Sequence, residues 1–426
     1  MKIIVIGAGL LGVTSAYYLQ DHGHDVTVLE RESLPALGAS YGNGGYAQAS
    51  VPDPWNAPGV LKIFKQAWIA NLKGKGDHSA FSVSTRALPG LIKWGMKFLS
   101  HATRETFQSH LVSNMHLAQY TQSAFNQINQ SEQLNYSYSD KGGLLIFRNS
   151  DSLNGYIDLV GCVRKHGTRV EQLDQAQLLT LEPSLEEVGQ ELAGAVHYPD
   201  DSSGNAREFC EQLAAITENR GVKFEYGSVV SKILKEVNGV RVLTLNGDMT
   251  ADAVVIAAGA QSKTLGASLG IHLPIVPVKG YSISIPMGGW GNRPRHVIAD
   301  MDIHAGINPM GDTLRIAGTA EFTGFSPGVS EQRLDYMMGL AQRLFPTFSQ
   351  SVSPELVDPW AGYRPLSVDG LPMIGATDVD NVYVNTGHGG LGWTQCAGSS
   401  KALADLISSE NGEFDLASFS INRFRR

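Results

Sequence analysis

Residues 2–31 read KIIVIGAGLLGVTSAYYLQDHGHDVTVLER, and this stretch decides the fold. IIVI is a short apolar run of the kind that forms a buried strand. Leu11 to Gln20 carries apolar residues at helical spacing, DHGH breaks the helix, and DVTVLE reads as a second strand. Between strand and helix stands Gly7-Ala8-Gly9-Leu10-Leu11-Gly12, a GxGxxG match. Its context makes it specific: a strand before it, a helix after it, and Glu30 at the end of the second strand. In this fingerprint Gly7 permits the tight turn, Gly9 lets backbone approach a pyrophosphate, and Gly12 lets helix and strand pack closely. The helix N-terminus then faces the phosphates. A carboxylate at Glu30 suits a ribose and disfavours a 2′-phosphate, which argues against NADP. FAD and NAD share the fingerprint, so the rest of the chain must choose.

At 426 residues the chain is long enough for two domains. Hydrophobic residues make up 42%, mean hydropathy is −0.09, and the formal charge is −8 with a pI near 5.8. That balance argues for a globular protein and against nucleic-acid binding. Cys162, Cys210 and Cys396 are scattered and odd in number, so neither a disulfide framework nor a metal site is expected, and a reducing, cytoplasmic setting fits. Residues 3–19 do not read as a signal peptide, and no apolar run of about twenty residues predicts a spanning helix. Residues 60–104 depart from the bulk: Lys62, Lys65, Lys73, Lys75, Arg86, Lys93, Lys97 and Arg104 face one acid, Asp77, with Phe64, Trp68, Trp94 and Phe98 interleaved. Basic residues among aromatics suit an anionic membrane surface, or else a solvated helical face over buried rings.

Nucleotide-style strand and helix pieces recur near residues 200–270 and at the C-terminus. The intervening stretches alternate like an antiparallel sheet with helices. The predicted class is therefore α/β: a Rossmann-like dinucleotide-binding domain (1–80, 196–274, 351–426) with an interleaved α+β substrate domain on an antiparallel sheet (81–195, 275–350). AVVIAAGA (253–260) is a second small-residue strand end, with Ala258 and Gly259 at its close. In WAGYRPLSVDGLPMIG (360–375), Arg364 precedes a proline among glycines. A fixed guanidinium suits bidentate capture of a carboxylate, or it pairs with a structural acid such as Asp369. NTGHGGLGWTQ (385–395) brings four glycines directly before the last predicted helix.

With PWNAPGV (54–60) and PVKGYSISIP (277–286), these stretches stand in one order and spacing. The chain resembles the FAD-dependent amine oxidoreductases of the D-amino acid oxidase, glycine oxidase and sarcosine oxidase group, most of all the small-subunit type of bacterial D-amino acid dehydrogenase. The resemblance implies a glutathione-reductase-type FAD domain. It places the pyrophosphate over Gly7, Gly9, Leu10, Leu11 and Gly12, and the ribose on Glu30 beside Arg31. Ser40, Asn43, Gly44 and Gly45 match the loop that passes the phosphates and flavin ring, and Val229 or Val230 the strand end near the adenine. Gly389, Gly390, Leu391, Gly392, Trp393 and Thr394 match the loop that brings backbone amides and a helix N-terminus to the ring. Arg364 matches the arginine that clamps the substrate carboxylate. Tyr281, Tyr46 and His304 are candidates for the flavin-facing cavity. Relatives that tether FAD do so through a cysteine or histidine, where this chain has Ala361-Gly362 or Tyr41-Gly42, so the FAD is expected to be non-covalent.

The activity implied is oxidation of free amino acids, D-amino acids foremost, to 2-oxo acids and ammonia, by hydride transfer to flavin N5. The alternative is a dehydrogenase or oxidase of cyclic or secondary amino acids of the D-hydroxyproline, proline or glycine/sarcosine type. A quinone or other electron carrier is the expected acceptor, with residues 60–104 resting on the inner face of the plasma membrane.

Overall fold

The computed structural model describes residues 1–72, 79–410 and 412–425, so Lys73, Lys75 and Asp77 lie outside the described residues. The opening strand Lys2–Ile6 pairs in parallel with Asp25–Leu29 on one side and Ala253–Ile256 on the other. The six-stranded sheet runs 373–376, 382–386, 253–256, 2–6, 25–29, 223–225, with only its 373–376 edge strand antiparallel. Its inner strands are mostly apolar because both faces are covered. One face packs on helices Leu10–Asp21, Ala206–Asn219 and Gly392–Ile407; the other packs on the antiparallel meander Val230–Glu236, Gly239–Thr244 and Gly247–Ala251.

The helices follow from local sequence. Asn205 caps Ala206–Asn219 by accepting from the amides of Arg207 and Glu208, and Phe209, Cys210, Leu213, Ala214 and Thr217 form its buried stripe. Thr103 caps the 29-residue helix Arg104–Glu132 in the same way. Although 81–195 was expected to belong to the substrate domain, this long helix presses Leu117, Ala124, Phe125 and Ile128 into the core beneath the six-stranded sheet. Burying that stripe against Gly392–Ile407 decides where it goes.

A second, nine-stranded sheet runs 358–367, 275–286, 313–322, 305–310, 297–300, 143–147, 194–198, 171–173, with Phe81–Val83 joined to 313–322. It is antiparallel except where 297–300 meets 143–147 and 313–322 meets 81–83. Asp358–Ser367, placed by the sequence reading with the C-terminal dinucleotide segment, hydrogen-bonds along Ile275–Pro286 from Ser367 to Asp358. The interleaving is therefore deeper than the expected boundary at residue 351.

Candidate active site

The two glycine-rich loops, about 380 residues apart in sequence, end at one place. Gly9 precedes Leu10–Asp21 and Leu391 precedes Gly392–Ile407; neither helix has a side-chain cap or an acid in its first turn. The helices lie side by side and point the same way. A Cβ on Gly392 would meet Leu11 at 3.9 Å, Thr14 bonds Ser400 at 2.7 Å, and the His22 ring bonds Asp405 at 3.1 Å. Two positive helix ends thus open together, with only the Leu10 amide of their first turns taken among the described residues, by Ser40, an arrangement that calls for an anionic or electron-rich group.

Glycine is obligatory where these loops are tightest. A Cβ on Gly12 would sit 1.7 Å from the Gly7 carbonyl oxygen, and Gly7 itself has φ +104°. Glu30 is held beside the turn, accepting from the amides of Ala8 (2.6 Å) and Glu32 (3.0 Å). Arg31 points outward, half exposed, and pairs with Glu32. Ser40 accepts from the Leu10 amide at 3.1 Å, which ties the 40–45 loop to the helix start. Val230 opens the meander, and the neighbouring Ser228 amide donates to the Glu30 carbonyl. Ala258 and Gly259 follow the strand Ala253–Ile256, with Ala258 packed on Gly7. These cradles fit an FAD: a glycine turn for a pyrophosphate, a carboxylate for a ribose, and a second set of amides for an electron-rich ring.

Across from the loops stands one face of the large sheet. Arg364 lies on this face with its guanidinium against Gly280, where a Cβ would come within 2.0 Å of it. It donates to the Thr319 carbonyl at 2.9 Å and stacks 5.7 Å from the Trp55 ring centre. No carboxylate pairs with it among the described residues; Asp369, the acid that could have claimed it, bonds Arg423 at 2.7 Å instead. Burial lowers its pKa to about 10, so it stays charged at neutral pH. Thr319 owes its place to a β-bulge: register jumps between Lys279 and Tyr281, so Gly280 faces both Thr319 and Ala320. Thr319 has φ +62°, a costly conformation for a β-branched residue, and its hydroxyl has no partner.

Four sequence candidates are placed elsewhere. Tyr281 points to the opposite face from Gly280 and bonds Glu321 at 3.0 Å within the core beside Arg333. Tyr46 packs on Gly143 and donates to Asp201 at 2.7 Å. His304 sits in an exposed turn at φ +54°, its ring edge-on to Phe81. The Trp393 ring is 2% exposed among Phe125, Tyr136 and Phe209, so only its backbone serves the helix end. Thr394 accepts from the Gln48 amide and holds the adjoining loop.

Other residues had no motif to announce them. Arg315 donates to the carbonyls of Tyr41 (3.1 Å) and Asn43 (3.2 Å), and Asn308 to that of Gly44, so the large sheet clamps the 40–45 loop. Trp360 stacks on Tyr41 and folds over Gly362. Their alternation along the strands is a signal, but only strand pairing shows which face looks at the loops.

The comparisons agree with this geometry. Residues 2–406 match the family described as DAO, FAD dependent oxidoreductase. The chain is 37% identical over 418 residues to D-amino acid dehydrogenase 2 of Mesorhizobium japonicum, covering 97% of this chain and 98% of that one. It is 34% identical over 429 residues to a D-amino acid dehydrogenase of Vibrio cholerae, covering 100% and 99%. A solved glycine oxidase from Geobacillus kaustophilus superposes with a TM-score of 0.75 at 23% identity over 99% of this chain and 98% of that one, which speaks for the fold alone. A chain matched end to end, with both glycine loops converging on one cradle, belongs to the FAD-dependent oxidoreductase family and takes FAD as its cofactor.

Proposed function

We propose that this protein deaminates free amino acids oxidatively, D-amino acids foremost, yielding 2-oxo acids and ammonia, and passes the electrons to a quinone or another acceptor than oxygen. The observation that carries the reading is Arg364: a half-buried cation without a carboxylate partner among the described residues, held between Trp55 and the Gly280 backbone. A planar donor pair of this kind suits a substrate carboxylate. The names of the full-length relatives support the choice of D-amino acids.

In this reading the six-stranded layer carries the cofactor and the nine-stranded layer the substrate. Gly7, Gly9 and Gly12 with the first helix end would hold the FAD pyrophosphate, Glu30 the ribose and Val230 the adenine side. Residues 40–45 and 389–394 would hold the ring, without a covalent bond. A bound FAD supplies the acceptor for the hydride leaving the α-carbon. Arg364 fixes the carboxylate and so orients that carbon; the Thr319 carbonyl and Gly280 keep the guanidinium from swinging. The paired helix ends stabilise negative charge appearing near the 389–394 amides.

The acceptor and the membrane contact rest on another feature. Leu61, Ile92 and Met96 are 61%, 59% and 63% exposed on the helices Val60–Leu72 and Leu88–Ser100, among exposed Lys62, Lys65, Lys93 and Lys97. Exposed apolar groups next to exposed lysines along both helices support a peripheral contact with an anionic membrane surface. No described helix is long and apolar enough to cross a membrane.

Anaerobic mixing with a panel of D-, L- and cyclic amino acids tests the activity. Bleaching by D-amino acids is expected; bleaching by none, or by cyclic substrates alone, overturns the reading. Stoichiometric peroxide without quinone reduction would sink the proposed acceptor.

A further inference from the structure

A cavity of about 10 Å³ lies beneath the second glycine loop, lined among others by Asp53, Trp55, Leu366, Ser367 and His388. His388 is 4% exposed and Ser367 1%, yet both His388 ring nitrogens and the Ser367 hydroxyl lack a partner. Buried polar groups almost always have one, and an internal water is the usual partner when protein supplies none. The volume suits one water. The cavity adjoins the carboxylate clamp: Leu366 lies two residues beyond Arg364 on the same strand, and Trp55 lies under the guanidinium.

We propose that Asp53, through a water held by His388 and Ser367, takes up the proton that the substrate's ammonium group must lose; this rests on the amino-acid reading above. An ammonium N–H bond breaks, the water takes that proton while giving one of its own to the Asp53 carboxylate, and a neutral amine remains. Its lone pair then assists departure of the α-hydrogen with its electron pair. The step needs no further reactant. His388 and Ser367 are positioning residues.

The surroundings of Asp53 suit this task. Tyr46, Tyr156 and Tyr198 lie close enough to feel its charge, with Asp201 beyond Tyr46; His388 lines the same cavity, and Arg364 lies over Trp55, which also lines it. Burial pushes the tyrosines upward, so they stay neutral. Burial also raises Asp53 to about 6 and holds His388 down to about 3. Asp53 is then ionised at neutral pH but basic enough to hold a proton briefly, while His388 does not compete as a cation.

The test follows flavin bleaching of the holoenzyme by its fastest D-amino acid from about pH 5 to pH 10. The wild type should reach a plateau near neutrality. Asp53→Asn should instead rise about tenfold per pH unit toward the pKa of the substrate amine, and Asp53→Glu should restore part of the plateau. A profile for Asp53→Asn that parallels the wild type, merely scaled, overturns the proposal. A crystal structure of the wild-type holoenzyme gives a second readout that does not depend on the variant folding. Water bonded to Asp53 and His388 supports the proposal; a dry cavity overturns it. If no amino acid bleaches the wild type at any pH, the amino-acid reading itself fails; normal wild-type bleaching with an unchanged Asp53→Asn profile removes this step alone.

Discussion

Arg364 is half-buried and His388 fully buried, and each gives a measurable consequence. A hydrogen bond to a charged group contributes about 3 kcal/mol at most. Arg364→Ala should therefore weaken binding of a carboxylate ligand by roughly 10²-fold. Arg364→Lys, which loses the planar fork, should recover only part of that affinity. Titrating the flavin spectrum with an amino acid measures both; unchanged affinity in Arg364→Ala would remove the clamp from the mechanism. His388 makes a statement about pH. Burial keeps it neutral in the folded protein down to about pH 3, whereas the unfolded chain protonates it near its ordinary value of 6.5. Between those values only the unfolded state gains the proton. Stability contributed by neutral His388 is thus present above pH 6.5 and lost as pH falls, by roughly 1.4 kcal/mol per unit. Urea melts of wild type and His388→Asn across this window should show their difference changing with that slope, and flat above it.

Helix starts and strand pairs carry the next level. Gly12 joins helix to strand at a contact of backbone on backbone, so neither side can yield. Gly12→Ala should cost about 3 kcal/mol and yield colourless protein, read by the FAD-to-protein ratio and a denaturation midpoint. Gly392→Ala makes the contrast: its Cβ meets only Leu11, at ordinary contact distance, and alanine favours the helix. That variant should fold with at least wild-type stability. The bulge at Thr319 acts at the same level. One extra residue in the strand aims a carbonyl at Arg364, and the surrounding nine-stranded sheet sustains the strained φ.

On the scale of the whole molecule, the charge pattern opposes the net charge. A protein of formal charge −8 would be repelled by an anionic bilayer without a local basic surface. Vesicles with anionic lipid should therefore bind the protein at low salt and release it at high salt. Replacing Leu61, Ile92 and Met96 together by serine should reduce binding without altering flavin bleaching by the free amino acid. Equal co-sedimentation of this variant and the wild type would assign the exposed residues to another partner.

Much of this was legible before any coordinates. The strand–glycine turn–helix–strand unit at residues 2–31, the amphipathic helix over 205–220 and the last helix near 394–408 depend on local conformational preferences, which adjacent residues express. The glycines at 7 and 12 follow from backbone sterics that no distant contact can alter. Facing is different. Alternation puts Gly280 and Ser282 together and Tyr281 with Lys279, but it does not say which set looks at the cofactor loops. Long-range pairing decided that, and it turned Tyr281, Tyr46 and Trp393 into the core while exposing Arg364 to the site. Only the tertiary structure could bring two helix ends from opposite ends of the chain together, or leave Asp53 and His388 around one small cavity. Those arrangements arise from burying apolar stripes against one another, an energy that belongs to pairs of distant elements and is written in no single stretch of sequence.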